Sequence, residues 1–198
     1  MALDLKKQTD FLVSLGTEEI DHSGDKGFLA HLIAVCRYLE EWGYSDDVCL
    51  AGLFHSIYGT ELFQDFSLAV ERRHEVREIA GERAEYLAYL NCAMDRPSFD
   101  ALVQSRTRED GAAPNPGTAS CLVDRLTGET VELTQQDYED LLAIQILDWL
   151  EQVGRSKWWD YRRDAYRAMA VELGGRVSAE YERVFAQAPK AADASGRS

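Results

Sequence analysis

Three ionisable side chains stand in apolar stretches of the chain. His31 lies in FLAHLIAVCRYL, His55 closes LAGLFH, and Asp148 sits inside IQILDWL. Imidazole nitrogen and carboxylate oxygen are the donors that Zn(II), Mn(II) and Fe(II) accept. A carboxylate set among Ile, Leu and Trp is costly to bury unless a donor or a cation compensates it. Each residue alone has a plainer reading. A histidine on an apolar helix is most often a hydrogen-bonded core residue, and Asp148 could pair with Arg125 or Arg155. Taken together, His31, His55 and Asp148 form a candidate divalent-metal site. His22, in a glycine-bearing loop ahead of the His31 helix, could add a ligand or serve as a general base. His74 stands among charges in ERRHEVRE and reads as solvated.

Other groups lie near these in sequence. Ser56, Tyr58, Thr60 and Glu61 follow His55 directly, which makes Tyr58 and Thr60 candidate substrate contacts. Arg72 and Arg73 could hold a phosphate or carboxylate, because a guanidinium binds either in bidentate fashion. They could equally pair with Glu71 and Glu75 on a solvated helix. KWWDYRR, residues 157 to 163, reads as helix packing with surface arginines. The chain has no glycine-rich phosphate loop, no GxSxG elbow and no HExxH, and Gly174 with Gly175 reads as a helix break.

The elements that must carry these residues are mostly helical. A first helix runs through Leu5, Phe11, Leu12 and Leu15 to Gly16. Phe28, Leu29, Leu32, Ile33, Val35, Cys36 and Leu39 make an amphipathic stripe that ends at Gly43. Ser45 offers an N-cap for a short helix over 48 to 56, apolar on all sides. A helix over 68 to 79 and a second through ERAEYLAYLNCAM flank Gly81. Pro97 marks a boundary, residues 105 to 119 read as a loop, and SCLVDRLTGETVELT reads as a β-hairpin about Thr127-Gly128. Thr134 and Asp137 form a capping box ahead of the helix that carries Asp148. Helices over 156 to 173 and 175 to 187 follow, and residues 188–198 read as a disordered tail.

FLAHLIAVCRYLEEWGYSDDVCLAGLFHS resembles the N-terminal half of HD-domain metal phosphohydrolases, closest to the branch that hydrolyses (p)ppGpp. Such proteins place a His on one helix and a His-Asp doublet at the end of the next. His31 and His55 stand 24 residues apart, which fits that pattern. REIAGERAEYLAYL and LLAIQILDWLEQV resemble the later helices of the same branch, with Asp148 completing the site. HSIYGTELF also looks like an uncharacterised bacterial family related to that fold. The resemblance covers roughly residues 26 to 92 and 140 to 153, and with the helical periodicity above it implies a single all-α, HD-domain-like helical bundle over residues 1–187, with 105–133 as a loop and hairpin insertion. Where the family's doublet has Asp, this chain has Ser56, which cannot bridge two cations. The implication is one divalent metal (Fe, Mn or Zn). Glu61, with Asp65 as the second choice, stands where that branch places catalytic acids, and is a candidate general acid or base.

Composition narrows the partners. A formal charge of −14 argues against nucleic acid, whose phosphates would be repelled over most of the surface. The four cysteines include no CxxC pair and read as reduced core thiols of a cytoplasmic protein. No secretory leader and no membrane span are expected, and the aromatic C-terminal helices could supply a homodimer surface. Two readings follow. One is a metal-dependent enzyme acting on a small polar or phosphorylated substrate, by hydrolysis or iron-dependent oxidation. The other is a catalytically inactive HD-like module that binds a small ligand or partner protein without metal.

Overall fold

Helix α1 (Lys6–Ser14) leads through a single 3-10 turn, Thr17–Glu19, to helix α2 (Phe28–Glu41). On α2 the stripe Phe28, His31, Leu32, Val35, Cys36 and Leu39 is buried, at the spacing that puts every member on one face. The helix ends in a Schellman motif. Gly43 takes φ +85°, its N–H reaches the Glu40 carbonyl, and Tyr44 N–H reaches that of Leu39. The computed structural model describes residues 2–21, 26–107, 120–156 and 158–189.

Helix α3 (Asp46–Leu53) begins after this tight turn, with Ser45 as N-cap and Asp46 and Asp47 in its first turn. It packs closely on α2. A Cβ added at Gly52 would lie 2.3 Å from Leu39 Cδ1, so the glycine sets the separation of the two helices. The expected helix over 48 to 56 stops at Leu53, and residues 54 to 58 are turns. At this end the Gly52 carbonyl receives the His55 ring, side chain replacing backbone as its partner.

The helix expected over 68 to 79 begins at Arg73. Leu68 N–H bonds Ile57 O in an extended segment, a 3-10 turn spans Val70–Arg72, and α4 (Arg73–Ala80) follows. Gly81, at φ +94°, separates α4 from α5 (Glu82–Ala93). Helix α6 (Arg96–Arg106) was not expected. Pro97 starts it rather than interrupting the chain, and Asp95 caps it by accepting Ser98 N–H at 3.0 Å. The expected loop at 105 to 119 therefore begins only after α6, and its larger part lies outside the described residues. Strands β1 (Ser120–Val123) and β2 (Thr130–Leu133) pair antiparallel across a turn with Gly128 at φ +76°. The hairpin is tied to the α5–α6 junction by Asp95 N–H to Val123 O and Arg125 N–H to Ala93 O.

Helix α7 (Gln135–Ser156) is the central strut, buried without a break from 140 to 147 and packed on α2, α3, α5 and α8. Its capping box is formed as expected. Thr134 Oγ1 accepts Asp137 N–H at 3.1 Å, and Asp137 Oδ2 accepts Thr134 N–H at 2.9 Å. Thr134→Ala is expected to cost about 1 kcal/mol, measured as a lowered midpoint in urea with unchanged slope.

Helices α8 (Arg163–Leu173) and α9 (Gly175–Phe185) close the fold. The first was expected from 156, but Arg162 takes φ +47°, and residues 159 to 162 are turns. The described residues thus hold nine α-helices and one two-stranded sheet, an all-α architecture with a small hairpin. Among them no helix is long and apolar enough to cross a membrane. All four cysteines are thiols, and burial pushes those of Cys36, Cys49 and Cys92 up to about 12. The tail beyond 189 lies outside the described residues.

Candidate metal centre

His31 sits one turn into α2, fully buried. Its Nδ1 lies 2.7 Å from Glu151 Oε2, one turn beyond Asp148 on α7. Burial opposes charge on Glu151, but hydrogen bonds from His31, Arg155 and Lys26 outweigh it and hold the carboxyl at about 2. An ionised carboxylate can only accept, so His31 Nδ1 donates and its Nε2 faces away from Glu151. Burial likewise opposes the protonated form of His31, yet the bonds to Asp148 and Glu151 raise its pKa.

His55 is fixed differently. Its Nδ1 lies 2.7 Å from the Gly52 carbonyl, again an acceptor, so Nδ1 carries the proton. Its own carbonyl accepts Asn91 Nδ2 at 2.7 Å and Cys92 Sγ at 3.1 Å. The early end of α3 thus gives His55 a fixed ring from its own turn and a fixed backbone from α5.

Asp148 completes the trio. Its Oδ1 lies 3.1 Å from His31 Nε2 and 3.4 Å from His55 Nε2, and the two Nε2 atoms are 3.4 Å apart. Gln152 Nε2 donates to the same oxygen at 2.8 Å. Burial works against ionisation of Asp148, but the charge of His55 and the bonds from His31 and His55 hold it well below the usual carboxylate range. Neither Arg125 nor Arg155 is its partner. Arg155 holds Glu151, and Arg125 holds the carbonyls of Cys92 and Gly59.

These three atoms suit a small divalent cation. Bonds of about 2.05 Å in a tetrahedron space ligands about 3.3 Å apart, and octahedral bonds of about 2.1 Å space them about 3.0 Å apart. The observed separations of 3.1 to 3.4 Å fall across that range. Both imidazoles commit their Nδ1 protons elsewhere, so when the rings are neutral two nitrogen lone pairs and a carboxylate oxygen converge. Such a meeting of acceptors is unfavourable unless a proton or a cation is shared among them. His31, His55 and Asp148 could therefore hold a metal ion.

The trio opens on a cavity of about 380 Å³. Ser56 and Thr60 line it, as their closeness to His55 implied. Other candidates lie elsewhere. Tyr58 is buried with its hydroxyl on Glu85 Oε1 at 3.0 Å. Glu61 is exposed, its Oε2 3.4 Å from Arg96 N, and Asp65 rather than Glu61 contributes to the cavity wall. Arg72 pairs with Glu75 in solvent, and Arg73 forms a bidentate pair with buried Glu85. His74 is exposed against the Glu71 carbonyl. His22 lies outside the described residues.

Arg96 and Tyr166 line the cavity without a signal in the sequence, and Trp149 joins them with Trp158 and Tyr161 of KWWDYRR. KWWDYRR is therefore divided. Trp159 packs against Trp149, Trp158 and Tyr161 face the cavity, and Arg162 is not a surface arginine but a nearly buried one bonded to Asp100 and Gln145. Glu151 was legible in principle, since it lies three positions after Asp148 on the same helical face.

Residues 11–96, less than half of the chain, are similar to a family described as a domain of unknown function (DUF6817). That stretch contains His31 and His55 but stops short of Asp148. No curated protein matches the chain, and no solved structure matches it.

Proposed function

We propose that this chain is an HD-like, metal-dependent enzyme that binds one divalent cation, Fe(II), Mn(II) or Zn(II), through His31, His55 and Asp148. Its substrate would be a small polar or phosphorylated molecule. The observation that carries the reading is the convergence of two imidazole Nε2 atoms and one carboxylate oxygen within 3.4 Å, each with its orientation set by a separate partner. Order along the chain supports the HD-like part: a His on one helix, a His at the end of the next, and an Asp on a long late helix. When bound, a divalent cation supplies Lewis-acid polarisation and lowers the pKa of water.

The protein's own residues do the rest. Glu151 and the Gly52 carbonyl hold the two rings in their tautomers, as supporting groups do in metal sites generally. Gln152 steadies Asp148. Ser56 presents a neutral hydroxyl where the HD pattern has a carboxylate, which favours a single cation. Asp65, in the cavity wall, replaces Glu61 as the better-placed candidate for proton transfer.

Tag-free protein should retain close to one equivalent of metal after incubation with Fe(II), Mn(II) or Zn(II) and desalting, as read by elemental analysis. Retention below about a tenth of an equivalent for all three would remove the metalloenzyme reading and favour the metal-free binding module. Phosphate release from small phosphomonoesters by the loaded protein then tests hydrolysis, and oxygen uptake by the Fe(II) form tests oxidation.

A further inference from the structure

Several arginines of the described residues are held by carboxylates. Arg73 and Arg77 share Glu85, Arg83 bridges Asp137 and Asp140, and nearly buried Arg162 holds Asp100. Arg96 is 7% exposed, yet among the described residues its guanidinium has no carboxylate partner. Its Nη1 donates to the amide oxygen of Gln145, and its Nε is buried without a hydrogen-bond partner. A guanidinium does not shed its proton at accessible pH, so burial cannot neutralise it as it could a lysine. A buried cation held by one amide dipole is poorly compensated.

Arg96 lines the same cavity as His31, His55 and Asp148. Tyr166 lies near enough to both charges for Arg96 to lower its pKa and Asp148 to raise it, although burial dominates and the net shift is upward. A chain of amides also joins Arg96 to the candidate metal centre. Gln145 Oε1 accepts from Arg96 and Arg162, Gln145 Nε2 donates to Asn91 Oδ1, and Asn91 Nδ2 donates to the His55 carbonyl. This buried network fixes the guanidinium from behind. Phe63, Trp149, Trp158, Tyr161 and Tyr166 give the cavity an aromatic wall, alongside polar Ser56, Thr60, Gln152 and Ser156. The acidic groups Asp21 and Asp65 also line the cavity, but both are exposed and screened by solvent, whereas Arg96 is not.

We infer that Arg96 is an anion subsite, and that the cavity takes a small organic oxyanion, a carboxylate or phosphate carried on a flat or apolar body. The guanidinium fork supplies bidentate contacts to the anion and the aromatic walls hold the body. That the bound molecule is a substrate rather than only a ligand rests on the metalloenzyme reading above; the subsite itself rests on Arg96.

Calorimetric titration with phenyl phosphate, phenylacetate and neutral phenylacetamide tests this, on metal-loaded and chelator-treated protein with metal content measured in parallel. At least one anion should bind the wild type in both forms, with phenylacetamide at least about tenfold weaker, and Arg96→Gln should weaken the anion by about tenfold or more. Whichever anion binds tells phosphate from carboxylate. If the protein retains no metal even after loading and the anion still binds, the subsite stands and the metalloenzyme reading falls. Three results would overturn the proposal: no anion binding up to about 10 mM, equal affinity for phenylacetate and phenylacetamide with no binding of phenyl phosphate, or unchanged anion affinity in folded Arg96→Gln. Anion binding seen only in the metal-loaded form would do the same and leave the metal centre standing. The neutral probe needs no variant, so the test survives if Arg96→Gln fails to fold.

Discussion

Asp148→Ala is expected to lower the protein's affinity for divalent metal by at least about a hundredfold, measured by competition with a chromophoric chelator. Asp148 is the only carboxylate in the trio, and its Oδ1 lies within 3.4 Å of both Nε2 atoms. Removing it leaves two neutral imidazoles, a weak site without charge compensation for a dication. Asp148→Asn keeps the shape and loses the charge, so it should fall nearly as far. His31→Ala should act comparably. Glu151→Gln separates direct from indirect effects. Glu151 touches His31 through Nδ1, on the far side of the ring from the site, and its loss should weaken binding by about tenfold. Wild-type metal affinity in both Asp148→Ala and His31→Ala would mean that the ligands are other residues.

The second large effect falls on stability, away from the cavity. Glu85 is fully buried on α5 and accepts from Arg73, Arg77 and the Tyr58 hydroxyl. It thereby ties α4 and the turn after His55 to α5. Glu85→Ala should destabilise the fold by about 3 kcal/mol, the low end for breaking a buried ion pair, because both arginines keep some access to water. For a domain of this size that is a fall in melting temperature of roughly 6–12 °C.

A pH signature should accompany the loss. Burial opposes the charge of Glu85, but the bonds from Arg73 and Arg77 outweigh it and lower its pKa from the ordinary 4.5. A depressed carboxyl contributes stability that is complete above its unfolded value and lost as pH falls through the folded one. The wild type should therefore lose stability more steeply than Glu85→Ala on acidification below about pH 4.5. Equal slopes would show that Glu85 carries no such linkage.

The parts of the site that sequence revealed share one property. His31, His55 and Asp148 are polar residues inside periodic apolar runs, so pattern alone marks them as buried and in need of partners. The Gly43 stop, the Ser45 cap and the Thr134–Asp137 box were legible because they are local. Arginines misled for the opposite reason. Arg72 and Arg73 sit in a charged run that looks like a binding patch, while Arg96, between Asp95 and Pro97, has nothing beside it to announce burial. In the fold it is 7% exposed, with its guanidinium on Gln145 of α7. Pro97 does mark a boundary, but one where a helix starts: in a first turn proline lacks only a hydrogen bond that is absent there anyway. Closeness in sequence also failed after His55. In the turns that follow Leu53, Thr60 reaches the cavity while Tyr58 turns to Glu85.

The placement of His31 against Glu151, 120 positions away in sequence, bears on how the molecule comes apart. The candidate ligands join an early helical hairpin to a late helix, so an ion held between them would act as a removable cross-link across most of the chain. Closing so long a loop is entropically expensive, and contacts of that span tend to be completed late in folding. A tether of this kind retards escape from the native state far more than it hastens arrival. Metal loading would then be felt chiefly as kinetic persistence, a slower unfolding rate with the refolding limb almost unmoved.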